Sequence, residues 1–373
     1  MKKYYVLYLV LCLFFSTVFS LNLFAQELAT DGYPVPRVVD NGQFVVGWVY
    51  ADLTTESIIR NYKQVQIEAE HRGWKLVQGG GIMDDEHRNV MQNFIAQDVD
   101  AIIVGNMSTL PLKDLYIKAR NKGIGVYNVD TQLQPGAVAN VTQPNGLAAL
   151  KLFYKVCEDM LWEARIAIIT VPHVQVNVER TEPIKGIIKV YPGLELVGEE
   201  FIAGDMPARQ QAFNYANTWI QKFGDDLDII IGSWDGAAVG AANAIRQAGY
   251  DSSEIFSTGI DGGNETWTFI RQGTPFKYNF AQPFELYQHD TFELIEQIQV
   301  RGLQPGDDGC IISRYGETIY REGHVVTQSN VPDSGVSVHA AFDFYGGDPD
   351  DPDAWYNWQD AGGPYLIGTE IAQ

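Results

Sequence analysis

From Phe44 onward the chain repeats one rhythm: a short apolar run, then a longer stretch with apolar residues every three or four positions. "FVVGWVY" (44–50) reads as a strand, and 54–73 as a helix that stops at Gly73. "WKLVQ" (74–78), "DAIIVG" (100–105) and "IGVYNVD" (124–130) are further strands, with helices over 84–97 and 112–123 between them. A second round follows. It predicts helices over 146–162, 178–191, 208–224, 235–249, 264–272 and 285–302, and strands over 164–170, 194–203, 227–234, 255–261 and 276–281. Strands alternating with helices predict an α/β fold with parallel sheets wound on both faces. No low-complexity linker separates the rounds, so the pattern predicts two doubly wound lobes that share crossing segments.

The two ends break the rhythm. "MKKYYVLYLVLCLFFSTVFSLNLFAQ" has two lysines, a long apolar stretch and small residues near its end, the pattern of a secretory signal peptide. Cleavage fits after Ser20 or after Ala25, and residues 1–25 are assigned to the signal. The competing reading is an uncleaved anchor, because the run approaches bilayer-spanning length. Residues 331–373 form an irregular acidic and aromatic extension without periodicity. Its "DPDDPD" has a calcium-loop composition but lacks the alternation, central Gly and final Glu of an EF-hand.

Composition narrows the function. Of 373 residues, 47 are acidic and 26 basic, a formal net charge of −21 that repels nucleic-acid phosphates. Beyond the signal only Cys157 and Cys310 remain; a single bridge is compatible with an oxidising compartment, but two buried free thiols fit better. There is no Gly-x-Ser-x-Gly elbow and no phosphate-binding loop, and the six histidines show no metal-ligand spacing. His87 lies in an acidic helix start and is expected in solvent. No metal and no cofactor is expected.

What recurs is a polar residue just past a strand's C-terminal end. Asp52 follows "FVVGWVY", Asp130 ends "IGVYNVD", Trp234 and Asp235 end "LDIIIGSW", Asp261 ends "IFSTGID" and Gln282 follows "FKYNFA". In open α/β sheets ligands bind in the crevice beyond those ends. Each acid has a bland alternative as a cap or turn residue, and Asp235, opening a helix, is a good N-cap. Carboxylates and amides together suit the hydroxyls of a polyhydroxy ligand, and aromatic faces suit the C–H side of a sugar ring. Trp48 is expected in the core, Tyr50 and Trp234 nearer the crevice.

These stretches resemble the type I periplasmic binding proteins, in the branch that binds ribose, galactose and related sugars. The resemblance covers about residues 44–330 and rests on "VQIEAEHRGWKLV", "NFIAQDVDAIIVG", "KARNKGIGVYNVD", "GIDGG" and "FAQP", in that order. It implies two lobes joined by a three-segment hinge that close on a sugar, with ligand contacts at Asp130, Asp261 and Gln282. It also implies an arginine on a helix of the second lobe. In "NVERTEPIKGI" either Arg180 or Thr181 occupies that place, because the offset from Gly186 differs by one residue from the family pattern. Trp234 and Met206 also depart from the pattern, which implies a pocket rebuilt around other aromatics, with Tyr50 and Trp234 as candidates. Lactose-type repressors share the fold but begin with a helix-turn-helix, where this chain begins with an export signal.

The expected division is 41–141 plus 283–310 for the first lobe and 142–282 plus 311–330 for the second. The expected function is that of an exported, monomeric, periplasmic solute-binding protein without enzymatic activity. It would bind a monosaccharide or related polyhydroxy molecule and deliver it to an ABC permease. The alternative is a receptor that presents a bound sugar or furanosyl signal to a sensor kinase or chemoreceptor. An exported enzyme acting on carbohydrate is a third class, since glycosidases also use paired carboxylates.

Overall fold

Two six-stranded sheets organise the chain, seen in a computed structural model that describes residues 35–40, 42–51, 53–203 and 206–333. The expected signal peptide, Asp52 and nearly all of the C-terminal extension lie outside the described residues.

The first lobe contains β1 (Val45–Tyr50), α1 (Glu56–His71), β2 (Lys75–Gly80), α2 (Asp84–Ala96), β3 (Ala101–Gly105), α3 (Lys113–Arg120), β4 (Gly125–Val129) and β5 (Ala139–Thr142). The second contains α4 (Asn145–Asp159), β6 (Ala164–Thr170), α5 (Gln175–Val190), β7 (Leu194–Phe201), α6 (Ala208–Phe223), β8 (Ile229–Gly232), α7 (Asp235–Ala248), β9 (Phe256–Asp261), α8 (Asn264–Arg271) and β10 (Phe276–Ala281). The chain then returns through α9 (Phe284–Ile295), extended by a π-helical turn over Glu296–Val300, and ends in β11 (Glu317–Tyr320) and β12 (His324–Val326). The strand orders are β11-β5-β4-β3-β1-β2 and β12-β10-β9-β8-β6-β7. All pairings are parallel except that of β12 with β10.

Parallel strands covered on both faces must be apolar throughout, and β3, "AIIVG", is buried at every position. Period-two alternation then assigns the faces. Val46 and Trp48 point with Val65 and Phe292 into one core, and Val49 joins Phe94, Ile102 and Leu115 in the other. The second sheet is built the same way, with Ile166, Ile168 and Phe153 on one side and Ala167, Ile169 and Trp219 on the other. The small residues of α7 let α6 lie close: a Cβ on Gly240 would stand 2.4 Å from the carbonyl oxygen of Arg209. Gly249, at φ 90°, ends α7 in the left-handed cap that glycine adopts without steric cost.

The long elements match the expected ones to within three residues at either end. Three short strands, β5, β11 and β12, are additions, and they define the crossings. The chain passes between sheets from Thr142 to Asn145, from Ala281 to Phe284 and from Tyr320 to His324. The expected division therefore needs correction in its last part. Residues 311–320 belong with the first lobe, because β11 pairs with β5 and Ile312, Tyr315 and Ile319 lie in the first-lobe core. Arg321 N donates to Thr142 O at 2.8 Å, tying the third crossing to the first.

His87 also differs from expectation: it is buried, with Nε2 donating to the Gly81 carbonyl at 2.7 Å. Cys157 and Cys310 are free thiols in separate lobes. Cys157 is buried and its thiol is pushed up to about 12, whereas Cys310 is only partly buried.

Candidate functional site

The C-terminal ends of both sheets face each other across the crossings, and an acid ends the decisive strand in each. Asp130 follows β4 in the first lobe, and Asp261 is the last residue of β9 in the second. Both, with Asn106, are non-glycine residues of positive φ (45°, 132° and 58°). Half of the six such residues among the described residues thus sit at these strand ends, and backbone strain of this kind clusters at functional sites.

Arg180, near the middle of α5, joins the two acids. Its Nη1 donates to Asp261 Oδ1 at 3.2 Å and to the Ser233 carbonyl at 3.0 Å, and its Nε donates to Asn145 Oδ1 at 2.8 Å. Its Nη2 stands 3.7 Å from Asp130 Oδ2 and donates no hydrogen bond among the described residues. Gln282, the first residue of the second crossing, donates from Nε2 to Asp261 Oδ1 at 2.6 Å, and its Oε1 accepts from Tyr287 OH at 3.3 Å. Asp130 accepts from Thr142 Oγ1 at 3.1 Å and from Asn106 Nδ2 at 3.3 Å. Asp130, Arg180, Asp261 and Gln282 are all buried. Of the two candidates on this helix, Arg180 reaches the acids, whereas Thr181 Oγ1 donates back to the Asn177 carbonyl of its own helix.

Two buried carboxylates share one guanidinium, and the electrostatics follow. Burial pushes the Asp261 carboxyl up to about 6; the Arg180 charge opposes that rise and the Asp130 charge adds to it.

The other expected residues divide. Asp235 is the first residue of α7, with Trp234 at the N-cap position. Its carboxylate accepts from Gly262 N at 2.8 Å and from the Asn279 amide, so it ties the ends of β9 and β10 to α7. Burial, and then the Asp261 charge, holds its carboxyl well above the usual range. Trp234 folds its indole over Gly236 and, with Ser57, Asp235 and Asp261, lines an interlobe cavity of about 20 Å³. That is room for about one water, so a larger guest enters only when the lobes part. Tyr50 lies elsewhere than expected. Two residues from Trp48, it shares that strand face, and its ring packs on Trp48 and Tyr62 at centroid distances of 4.6 and 5.9 Å beneath α1.

Several residues of the site were not foreseen. Asn145 and Thr142 flank the first crossing, and Ser57 donates toward Asp261 from the start of α1. Glu56 reaches across the cleft: its Oε1 accepts from Asn264 N at 2.6 Å at the start of α8. Arg60, fully buried, donates to the carbonyls of Asp261, Gly262 and Gln282 and pairs with Glu285 at 2.6 Å. The polar positions of α1 at 56, 57 and 60 carried the signal. Their spacing puts all three on one helical face turned to the second lobe.

Residues 50–288 match the sequence profile of the periplasmic binding protein domain. The chain belongs to that family. This periplasmic binding protein is 26% identical over 185 residues to a xylitol-binding protein of Mycolicibacterium smegmatis. The match takes in 49% of this chain and 52% of the relative, about half its length. Among solved structures, a sugar ABC transporter protein of Yersinia enterocolitica superposes with a TM-score of 0.73 at 19% identity, covering 86% of this chain and 95% of that one. A solute-binding protein of Actinobacillus succinogenes with bound D-allose gives 0.67 at 19% identity over 78% and 99% of the two chains. One of Agrobacterium vitis with bound allitol gives 0.69 at 19% identity over 78% and 97%. At these identities the structural likeness establishes the fold, the two-lobed type I arrangement. The family is one of periplasmic solute-binding proteins, not of enzymes. Among the described residues no helix is long and apolar enough to cross a membrane, and no group of His, Cys, Asp and Glu has metal-binding geometry.

Proposed function

We propose that the chain is an exported, monomeric solute-binding protein that captures a neutral sugar or sugar alcohol between its lobes and delivers it to an ABC permease. The observation that carries this reading is the Asp130–Arg180–Asp261 group. Acceptors from one lobe and donors and acceptors from the other converge on a single point, with Gln282 at the crossing beside them. When the lobes part, Asp130 leaves the guanidinium while Arg180 and Asp261 stay together on the second lobe, and ligand hydroxyls enter between the two sides. A carboxylate accepts from two adjacent hydroxyls, and Arg180 and Gln282 donate to ring or hydroxyl oxygens. Closure then buries the pairs, so a misplaced hydroxyl leaves a polar group unsatisfied and epimers are discriminated. Trp234 supplies an apolar face at the cleft wall. Asp235 supports the site by fixing the strand ends that carry Asp261 and Gln282. The N-terminal apolar segment directs export, and hinge closure offers the permease a face built from both lobes. The bound sugar and sugar alcohol of the structural relatives, and the name of the xylitol-binding relative, support the ligand class.

Titration calorimetry against pentoses, hexoses and their alcohols tests this. One or more should bind, and Asp130→Ala and Asp261→Ala should each weaken binding by about 1–3 kcal/mol. Absence of binding to any polyhydroxy compound, or unchanged affinity in both variants, overturns the reading.

A further inference from the structure

Besides the cavity between Trp234 and Asp261, a groove of about 630 Å³ lies on the hinge side of the Asp130–Arg180 pair. That size falls within the roughly 300–1,000 Å³ of small-molecule sites. The groove adjoins the Asp130–Arg180 pair. Thr142, which donates to Asp130, and Asn145, which accepts from Arg180, both line the groove. The groove takes residues from both lobes and from the first crossing.

Its chemistry is one-sided. Asn140 and Gln143 line it and are buried, and each uses its amide nitrogen within the protein: Asn140 Nδ2 donates to Thr131 O at 3.0 Å and Gln143 Nε2 to Asn145 Oδ1 at 3.1 Å. The amide oxygens, Asn140 Oδ1 and Gln143 Oε1, have no hydrogen-bond partner among the described residues. Two buried acceptors without donors favour a guest that brings donors. Glu179 and Glu182 are also acceptors along its wall, and no Lys or Arg lines it. An anionic guest, phosphorylated or uronic, is therefore disfavoured. Leu133, Leu147, Val176 and Pro183 supply apolar surface for the C–H face of a ring.

We propose that this groove is a second subsite, which receives the outer unit of a neutral, hydroxyl-bearing ligand longer than one monosaccharide. It rests on the reading of the cleft as a sugar site, and it names the size class of the ligand. The inner unit sits between Asp130, Arg180 and Asp261. The outer unit extends past Thr142 and Asn145, where its hydroxyls donate to Asn140 and Gln143.

The test is calorimetry with matched probes: D-xylose, D-galactose and D-glucose against xylobiose, lactose, melibiose and cellobiose. The proteins are the wild type, Leu147→Trp and Gln175→Trp. Both substituted positions line the groove and are exposed, at the start of α4 and of α5, so a bulkier side chain fills the groove without disturbing a core. At least one disaccharide should bind about tenfold or more tighter than its component monosaccharide, the effect of two added hydrogen bonds. Either Trp variant should abolish that advantage and leave monosaccharide affinity unchanged. Monosaccharide binding with no disaccharide advantage overturns the subsite and leaves the sugar site standing, as does an advantage that survives both variants. Failure of every probe here, and of the pentoses, hexoses and alcohols of the first panel, overturns both.

Discussion

Glu56 of the first lobe accepts the backbone N–H of Asn264, in the second lobe, at 2.6 Å. Its other oxygen accepts from Glu265 N at 3.3 Å. A side chain from one lobe thus acts as the N-terminal cap of α8 in the other. The contact exists only while the lobes are closed, because no residue of the α8 side takes its place: Gly263, at the cap position, has no side chain, and a Cβ there would stand 2.3 Å from Glu56 Oε2. Losing a helix cap costs about 0.5–2 kcal/mol. Glu56→Ala should therefore shift the protein toward the open form, seen as a larger radius of gyration in small-angle scattering without ligand. An unchanged radius would show that the latch does not set the lobe equilibrium.

Asp261 gives the site a pH dependence whose sign is fixed by its cause. Burial raises its carboxyl to about 6, with Asp130 adding to the rise and Arg180 opposing it. Between the ordinary carboxyl range and about 6, the folded protein holds a proton that the unfolded chain has released. Stability from this group therefore falls as pH rises through that window and is level above it. Denaturant unfolding at intervals from pH 4 to 7 should show this slope in the wild type and a shallower one in Asp261→Asn, where the raised Asp235 carboxyl still contributes. Carbonyl NMR should place the Asp261 midpoint near 6, and Asp130→Asn should lower it, since a repelling charge is removed. A rise instead would mean that Asp130 acts on Asp261 mainly through Arg180.

Arg180 holds two buried carboxylates apart and neutralises part of their repulsion. Removing one partner of a buried ionic group costs about 3–5 kcal/mol. Arg180→Met should lower stability by that order in urea titrations at neutral pH and by less at pH 4, where Asp261 is protonated. Arg180→Lys should not restore it. A lysine cannot donate at once to Asn145, Ser233 and Asp261, whereas the guanidinium uses its fork to do so. Equal losses at both pH values would place the damage in packing rather than charge.

The strands that carry Asp130, Asp261 and Gln282 were readable because buried parallel strands are nearly continuous apolar runs, and a polar residue at their end stands out. Asp261 and Gln282 could be named from "STGID" and "FAQP" alone. The crossings were not readable. β5, β11 and β12 have four, four and three residues, too few for a period to show, and their pairing partners lie far away in the chain. That is why residues 311–320 were assigned to the wrong lobe. Tyr50 failed for a different reason. The strand-end rule gives a residue's height in the sheet but not its face, and the face followed from Trp48 two positions earlier. Glu56 and Arg60 were missed because their partners, Asn264 and Glu285, are more than 200 residues away in the chain.

Arg60 and Glu285 form the deepest ion pair near the site, with side chains 0% and 1% exposed and 2.6 Å apart. Arg60 does more than neutralise Glu285. It also satisfies the carbonyls of Asp261, Gly262 and Gln282, the backbone that aims the Asp261 and Gln282 side chains and begins the second crossing. Arg60→Met takes the guanidinium away from a buried carboxylate and from three carbonyls, and should cost about 3–5 kcal/mol in urea unfolding. Glu285→Leu leaves the guanidinium its carbonyl partners and should cost less. In the double variant Arg60→Met/Glu285→Leu no buried charge is left unpaired, so it should be more stable than Arg60→Met. It should still fall short of the wild type, because the three carbonyls lose the donors that Arg60 supplied, although Asp261 O keeps Gln282 N at 2.8 Å. Full recovery in the double variant would mean that the carbonyl contacts contribute nothing and that the pair is self-contained. A double variant no better than Arg60→Met would mean that the carbonyls, not the charge, dominate.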